Sequence, residues 1–191
     1  MRECPMKKLL QKDALLKALP ELRLIGDETL REQCIGALLA AATAGGWTHA
    51  TVNALPVSLT RVKTAHLNSQ FDHLRAVTKI ALGMVDSLVE QYADKTIKRD
   101  IVIAGALLHD IGKFMEFIPD NGAVRYADNA KLMRHPLSGA ILAAQRGLPD
   151  EIVHIIAVHS FEGKESHETL ESIIVKMADD AAFKYITSFN A

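Results

Sequence analysis

The chain has 191 residues, 49% hydrophobic and 24% charged, with only 11 Gly and 6 Pro, which excludes wholesale disorder and fits one domain or one domain with a short appendage. Lys and Arg number 22 against 23 Asp and Glu, a net charge of −1, which removes the strongest argument for a nucleic-acid or anionic-membrane partner, since such binding rests on clustered positive charge. Aromatic residues, at 5%, are too sparse for a base-stacking platform. Two cysteines, Cys4 and Cys34, make no disulfide framework, the usage expected of a reduced, cytoplasmic protein.

The hydrophobic period is helical nearly throughout. Residues 6–19 carry leucines at 9, 10, 15, 16 and 19 and stop at Pro20. Lysines at 7, 8, 12 and 17 interrupt any apolar run that a signal peptide would need, so a soluble chain is expected. Asp27 can cap a second helix that runs to about Ala44 and ends at Gly45-Gly46. From Trp47 to Lys63 the pattern breaks, and Val52, Leu55, Val57 and Leu59 around Pro56 read as an ordered connection. A long helix is expected over 71–92, with Leu74, Val77, Ala81, Met84, Val85, Leu88 and Tyr92 on one stripe.

Residues 101–108 form an eight-residue apolar run, far short of the roughly 20 residues of a membrane span. A buried strand and a buried helix look alike at that length, and the helical surroundings favour helix. Residues 119–129, with Asn121-Gly122, read as a loop. Three further helices follow over about 136–146, 149–160 and 168–188. The expected architecture is all-α: an N-terminal helical extension over 1–45 and a helical bundle over 46–191.

Among the eight histidines, those that face the core matter most. His109-Asp110 ends the apolar run, delivering an imidazole and a carboxylate together at the buried end of a helix. A buried carboxylate needs a partner, and a cation is one way to supply it; the plainer reading is a polar helix terminus. His73 lies on the stripe with Val77, Ile80 and Met84. His159 falls on the face of Ile152, Ile155 and Ile156 at 100° per residue, whereas His154 points away and is expected to be exposed. Asp179 sits among Val175, Ala182, Phe183 and Ile186 and is preferred over Asp180, which Lys184 could pair. His135 precedes Pro136 at a helix start, where it could face a cleft or simply belong to a surface loop.

The order His73, His109-Asp110-Ile111-Gly112-Lys113, His135-Pro136, His159, Ala178-Asp179 resembles the HD-domain superfamily of metal-dependent phosphohydrolases in its HDIG form, over about residues 65–185. The resemblance implies a divalent metal held by His73, His109, Asp110 and Asp179, with His135 and His159 at a second position and Asp110 bridging. It therefore implies two ions per chain, and the mixed imidazole and carboxylate donors suit Mn, Fe, Ni, Co or Mg. Lys113 matches a lysine that contacts a substrate phosphate or a neighbouring carboxylate, though a solvated last-turn lysine is the plain alternative.

The implied activity is phosphomonoesterase or phosphodiesterase hydrolysis of a nucleotide or small organic phosphate by a metal-activated hydroxide, with Asp110 and Lys113 catalytic. A small phosphorylated substrate is the expected partner, with no membrane or nucleic-acid partner; nothing in the pattern specifies an oligomeric state. Ser160 stands where the cyclic-di-GMP hydrolases of this superfamily have a second adjacent histidine, and their Gly-Tyr-Pro signature is absent, which disfavours that substrate. The same ligand order also resembles the mixed-valence diiron oxygenases of this fold, and a non-catalytic nucleotide-binding module is a third reading. The hydrolase branch is favoured because it is the commoner.

Overall fold

The computed structural model describes residues 9–93 and 95–189. Cys4 and the start of the helix expected over 6–19 lie outside the described residues. Helix α1 (Lys12–Ala18) gives way at Pro20 to a 3-10 turn over Pro20–Leu24, and Leu15, Leu19, Leu22 and Ile25 are fully buried along this path. Helix α2 (Glu28–Ala44) is capped by Asp27, whose carboxylate accepts the Leu30 N–H at 2.9 Å. It ends at Gly45-Gly46, where Gly46 takes a φ of 74°. The ordered connection follows as expected: Trp47, Val52, Leu55, Val57 and Val62 are buried in it.

Helix α3 (Gln70–Tyr92) starts at Ser69, whose hydroxyl accepts the Asp72 N–H at 3.2 Å. Leu74, Val77, Ala81 and Val85 form its buried stripe, whereas Ile80 and Tyr92, both expected inward, are exposed. Tyr92 lies at the end of a 23-residue helix whose last turn outruns the core. Helix α4 (Arg99–Leu108) is buried at every position from 101 to 108, so its uniform apolarity reflects neighbours on all sides. Those neighbours are α2 and α3 together with α7 (Asp150–Val158) and α8 (Leu170–Thr187).

After α4 the chain turns through residues 109–112 into a single helical turn, α5 (Lys113–Glu116). The segment expected as a loop instead opens with a hairpin, β1 (Phe117–Asp120) paired antiparallel with β2 (Ala123–Tyr126). Asn121 and Gly122 form its two-residue turn with φ of 48° and 87°, the conformation Asn-Gly favours. Strands of four residues, with β1 partly covered and β2 mostly exposed, carry little alternation, which is why the hydrophobic pattern does not announce them. Helix α6 (His135–Gln145) follows and packs on α7. Among the described residues no helix is long and apolar enough to cross a membrane.

One continuous apolar core runs from Leu10 to Ala182 and draws on residues both before and after position 45. Several polar contacts bind the N-terminal segment to the rest, among them those of Asp100 and Trp47. The Asp100 carboxylate accepts the backbone N–H groups of Gly26 and Asp27 at 3.1 and 2.8 Å. The Trp47 indole donates to the buried carbonyl of Phe114, in α5, at 2.8 Å. Gly45 lies so close to that carbonyl that a Cβ there would sit 1.7 Å from its oxygen.

Candidate metal centre

Five elements bring their polar residues to one buried point. The turn after α4 supplies His109 and Asp110, fully buried because the apolar helix before them is. The first turn of α3 supplies Gln70 and His73, the first residue of α6 is His135, the end of α7 supplies His159, and α8 supplies Asp179. All six residues expected from the sequence to be metal ligands converge here. Asp180, one residue on, is exposed, and His154 is half-buried on the outer side of α7, with Nε2 2.9 Å from the His167 carbonyl oxygen.

Asp110 is the hub, and its two oxygens face different partners. Oδ2 lies 3.4 Å from His109 Nε2 and 3.6 Å from His73 Nε2. Oδ1 lies 3.4 Å from His135 Nε2 and 3.5 Å from His159 Nε2. Asp179 Oδ1 joins the first group at 3.0 Å from His73 Nε2 and 3.6 Å from His109 Nε2. Donor atoms of His73, His109 and Asp179, and separately of His109, Asp110 and His159, lie within 4.8 Å of one another, close enough to share a metal ion. His135 sits just beyond these tight groups, against Asp110 Oδ1.

The histidine tautomers suit coordination. His109 Nδ1 faces the Ala106 carbonyl oxygen at 2.8 Å and His159 Nδ1 faces that of Ile156 at 2.9 Å. A carbonyl accepts only, so each Nδ1 carries a proton and Nε2 is the atom turned to the centre, where its lone pair serves a metal once the ring is neutral. His109 Nε2 and His73 Nδ1 have no hydrogen-bond partner although they are buried, and His73 Nε2 meets Asp179 Oδ1 at 3.0 Å without the alignment of a hydrogen bond. Orphaned buried nitrogens are costly, and a cation among them removes that cost. The donor set of imidazole nitrogen and carboxylate oxygen, without thiolate, fits a divalent transition metal or magnesium.

Electrostatics point the same way. Burial alone would raise the Asp110 carboxyl, but Lys113 and His109 hold it well below the usual range. Asp179 is likewise held well down, against burial, chiefly by His109 and His73. Burial pulls the His109 imidazole down, and the two carboxylates more than reverse this, leaving it up at about 10. Burial keeps His73 and His135 below their ordinary value in spite of their carboxylate partners. Two anions, Asp110 buried and Asp179 mostly covered, thus draw positive charge to the spot that the Nε2 atoms surround, and the His109 proton answers that pull in the chain by itself.

Two residues that matter here, Gln70 and Glu116, carry no motif signal strong enough to have been singled out. Gln70 Nε2 donates to Asp110 Oδ2 at 3.0 Å. Glu116, buried, accepts from His135 Nδ1 at 2.6 Å; its one sequence signal is a lone acid inside the apolar run 114–118. Gly112 permits a close approach, since a Cβ on it would lie 2.0 Å from the His135 carbonyl oxygen. Lys113 is buried and donates to Asp110 Oδ2 at 2.6 Å, supplying a cation to that carboxylate.

The centre opens into a cleft of about 470 Å³. Asp110, Lys113, His135, His159 and Asp179 line its floor. Arg61, Arg134, Lys164 and Lys176 stand on its walls with Tyr126 and Phe161. Arg134 is held by Glu162 at 3.1 Å, and its guanidinium lies over the Phe161 ring at 5.7 Å. Arg61 lies over the Phe183 ring at 4.7 Å.

An all-helical core that gathers the ordered set His73, His109-Asp110, His135, His159 and Asp179 defines a class, and the HD-domain profile matches residues 71–183, well over half of the chain. The chain belongs to the HD-domain family, within the superfamily of metal-dependent phosphohydrolases. It is 38% identical over 115 residues to the dihydroneopterin 2′,3′-cyclic phosphate phosphodiesterase of Methanocaldococcus jannaschii, covering 59% of this chain and 45% of that protein. It is 37% identical over 95 residues to ribonuclease Y of Borreliella burgdorferi, covering 49% of this chain and 16% of that protein. The chain thus spans less than half the length of these curated relatives. No solved structure matches it significantly.

Proposed function

We propose that the protein hydrolyses a phosphodiester in a small organic phosphate, a cyclic or mononucleotide-sized ester, with two divalent ions held by His73, His109, Asp110 and Asp179 and by Asp110, His135 and His159. The observation that carries this reading is the division of Asp110: one oxygen faces His73 and His109, the other faces His135 and His159. A carboxylate so placed serves two ions at once, the arrangement of two-metal phosphoryl transfer. When bound, divalent ions supply Lewis acidity and a water acidic enough to lose its proton near pH 7.

The chain's own residues do the rest. Lys113, on the cleft floor, reaches phosphoryl oxygens and balances the charge that grows on them. Arg61, Arg134 and Lys164 on the walls draw in and orient an anionic substrate. A cleft of about 470 Å³ is the size of a small-molecule site and takes a nucleotide or a bicyclic heterocycle phosphate. The two relatives named above support the diester: a cyclic phosphate phosphodiesterase and a ribonuclease both break a P–O bond in a phosphodiester. The near-zero net charge favours the small ester over an RNA strand.

The test uses protein stripped with chelator and reloaded in turn with Mn, Fe, Ni, Co and Mg. Substrates are a 2′,3′-cyclic mononucleotide, bis(p-nitrophenyl) phosphate, p-nitrophenyl phosphate and a short labelled RNA. Opening of the cyclic ester that vanishes with chelator and with Asp110→Ala is expected. Failure of every loaded form to open any ester overturns the reading, and oxygen uptake by the iron-loaded protein with a cyclitol or phosphonate would replace it with oxygenase chemistry.

A further inference from the structure

His109 and His159 are each oriented from within their own helix, through a carbonyl three residues earlier. His135 cannot be held in this way. It is the first residue of α6, so no helical turn precedes it to offer a carbonyl. Its backbone N–H is equally without an intrahelical acceptor.

Glu116 answers both needs. It closes α5, one turn after Lys113, and only 4% of its surface is exposed. Its Oε2 accepts from the His135 backbone N–H at 2.9 Å and from His135 Nδ1 at 2.6 Å. The two contacts fix the helix start and the ring of one residue together. They place a proton on Nδ1, which leaves Nε2 as the ring atom facing Asp110 Oδ1, 3.4 Å away, with its lone pair available to an ion between them. An anionic acceptor also makes the imidazole a better donor to a metal. Glu116 Oε1 faces the Arg134 guanidinium at 3.9 Å, which holds the carboxylate from its other side. Gly112, one turn earlier, leaves room for the His135 backbone to come this near.

We propose that Glu116 is a positioning residue for the second ion: it sets the tautomer and direction of His135, and does so without touching ion or substrate. The inference rests on the two-ion reading above. It assigns to the residue six positions after Asp110 the work that backbone carbonyls do for His109 and His159.

Calorimetric titration of chelator-stripped protein with Mn²⁺, for the natural sequence, Glu116→Ala and Glu116→Gln, provides the test, together with long-range ¹H–¹⁵N spectra of the histidines before metal is added. Glu116→Ala is expected to weaken the second ion by about 10- to 100-fold and leave the first unchanged. The His135 spectrum is expected to change from a single Nδ1–H form to a mixture. Glu116→Gln keeps an acceptor oxygen and should recover most of both. Two ions bound as tightly by Glu116→Ala as by the natural sequence, with the His135 spectrum unmoved, overturn the proposal and leave the two-ion reading intact. A single ion in the natural sequence overturns both. Should Glu116→Ala fail to fold, Glu116→Leu, which fills a similar volume without an acceptor oxygen, takes its place: a weaker second ion with a mixed His135 spectrum supports the role, and an unchanged ion with an unmoved spectrum removes it.

Discussion

Two buried carboxylate sites in this molecule are built in opposite ways. Glu21, in the turn after α1, meets Arg75 Nε with both oxygens, at 3.0 and 3.2 Å, and has Lys79 Nζ at 3.7 Å. Its charge is matched by cations anchored on α3, and the site is complete as it stands. Asp110 has one cation, Lys113, but it and Asp179 sit among four imidazoles whose Nε2 atoms face inward, and His73 and His109 keep ring nitrogens with no hydrogen-bond partner. A site that serves only the fold pairs its buried charge within the chain. One that leaves buried donors unpaired is shaped for something the chain does not itself contain.

The largest test of this contrast is Asp110→Ala. Turnover should fall by about 10³-fold or more, the scale of losing a group that stabilises the transition state, while circular dichroism shows the helices retained. Normal turnover would mean that the cluster is not the reactive site. Glu21→Ala should leave the catalytic constant unchanged.

Metal removal comes next. With free ion at about 100 times its dissociation constant, each bound ion should make the protein about 2.7 kcal/mol more stable than when stripped. For a chain of this size that is about 5–10 °C in Tm, read by scanning calorimetry. Equal melting with and without ions would place the imidazoles on the same footing as the Glu21 pairing.

Glu21→Ala itself should cost about 2 kcal/mol in denaturant unfolding, the loss of hydrogen bonds to a charged partner, moderated because Arg75 is partly exposed. The smallest effect belongs to a position far from either charge. Gly36 lies exposed in the middle of α2, and a Cβ added there would meet nothing within 4 Å, so Gly36→Ala should raise stability by about 0.5–1 kcal/mol and leave activity alone.

Much of this could be read from the chain before any coordinates. The Asp27 cap, the double-glycine stop and the buried run 101–108 are local signals, and each corresponds to an element. So is the difference between His159, which faces the core, and the less buried His154, since both follow from the turn of one helix. Glu116 and Gln70 were not legible because their roles exist only where separate elements meet. Gln70 needs the start of α3 to lie against Asp110, and Glu116 needs α6 to begin beside α5. The hairpin was hidden for a different reason: its strands are four residues long and neither alternates between a buried and an exposed face, so only Asn121-Gly122 marked it.

The contact between Trp47 and the Phe114 carbonyl bears on how far this architecture is modular. The segment that matches the family begins at residue 71, which invites cutting the gene there. Phe114 follows Lys113 directly, and its carbonyl is held by an indole and packed against Gly45, both upstream of any such cut. A fragment starting at residue 70 would strip the partner from that carbonyl and uncover the face of α4 that α2 shields. Such a fragment is expected to be expressed poorly or to melt far below the full chain, and to lose the register of the turn that carries Lys113 and Glu116. The shortest autonomous unit is therefore longer than the stretch by which kinship is recognised.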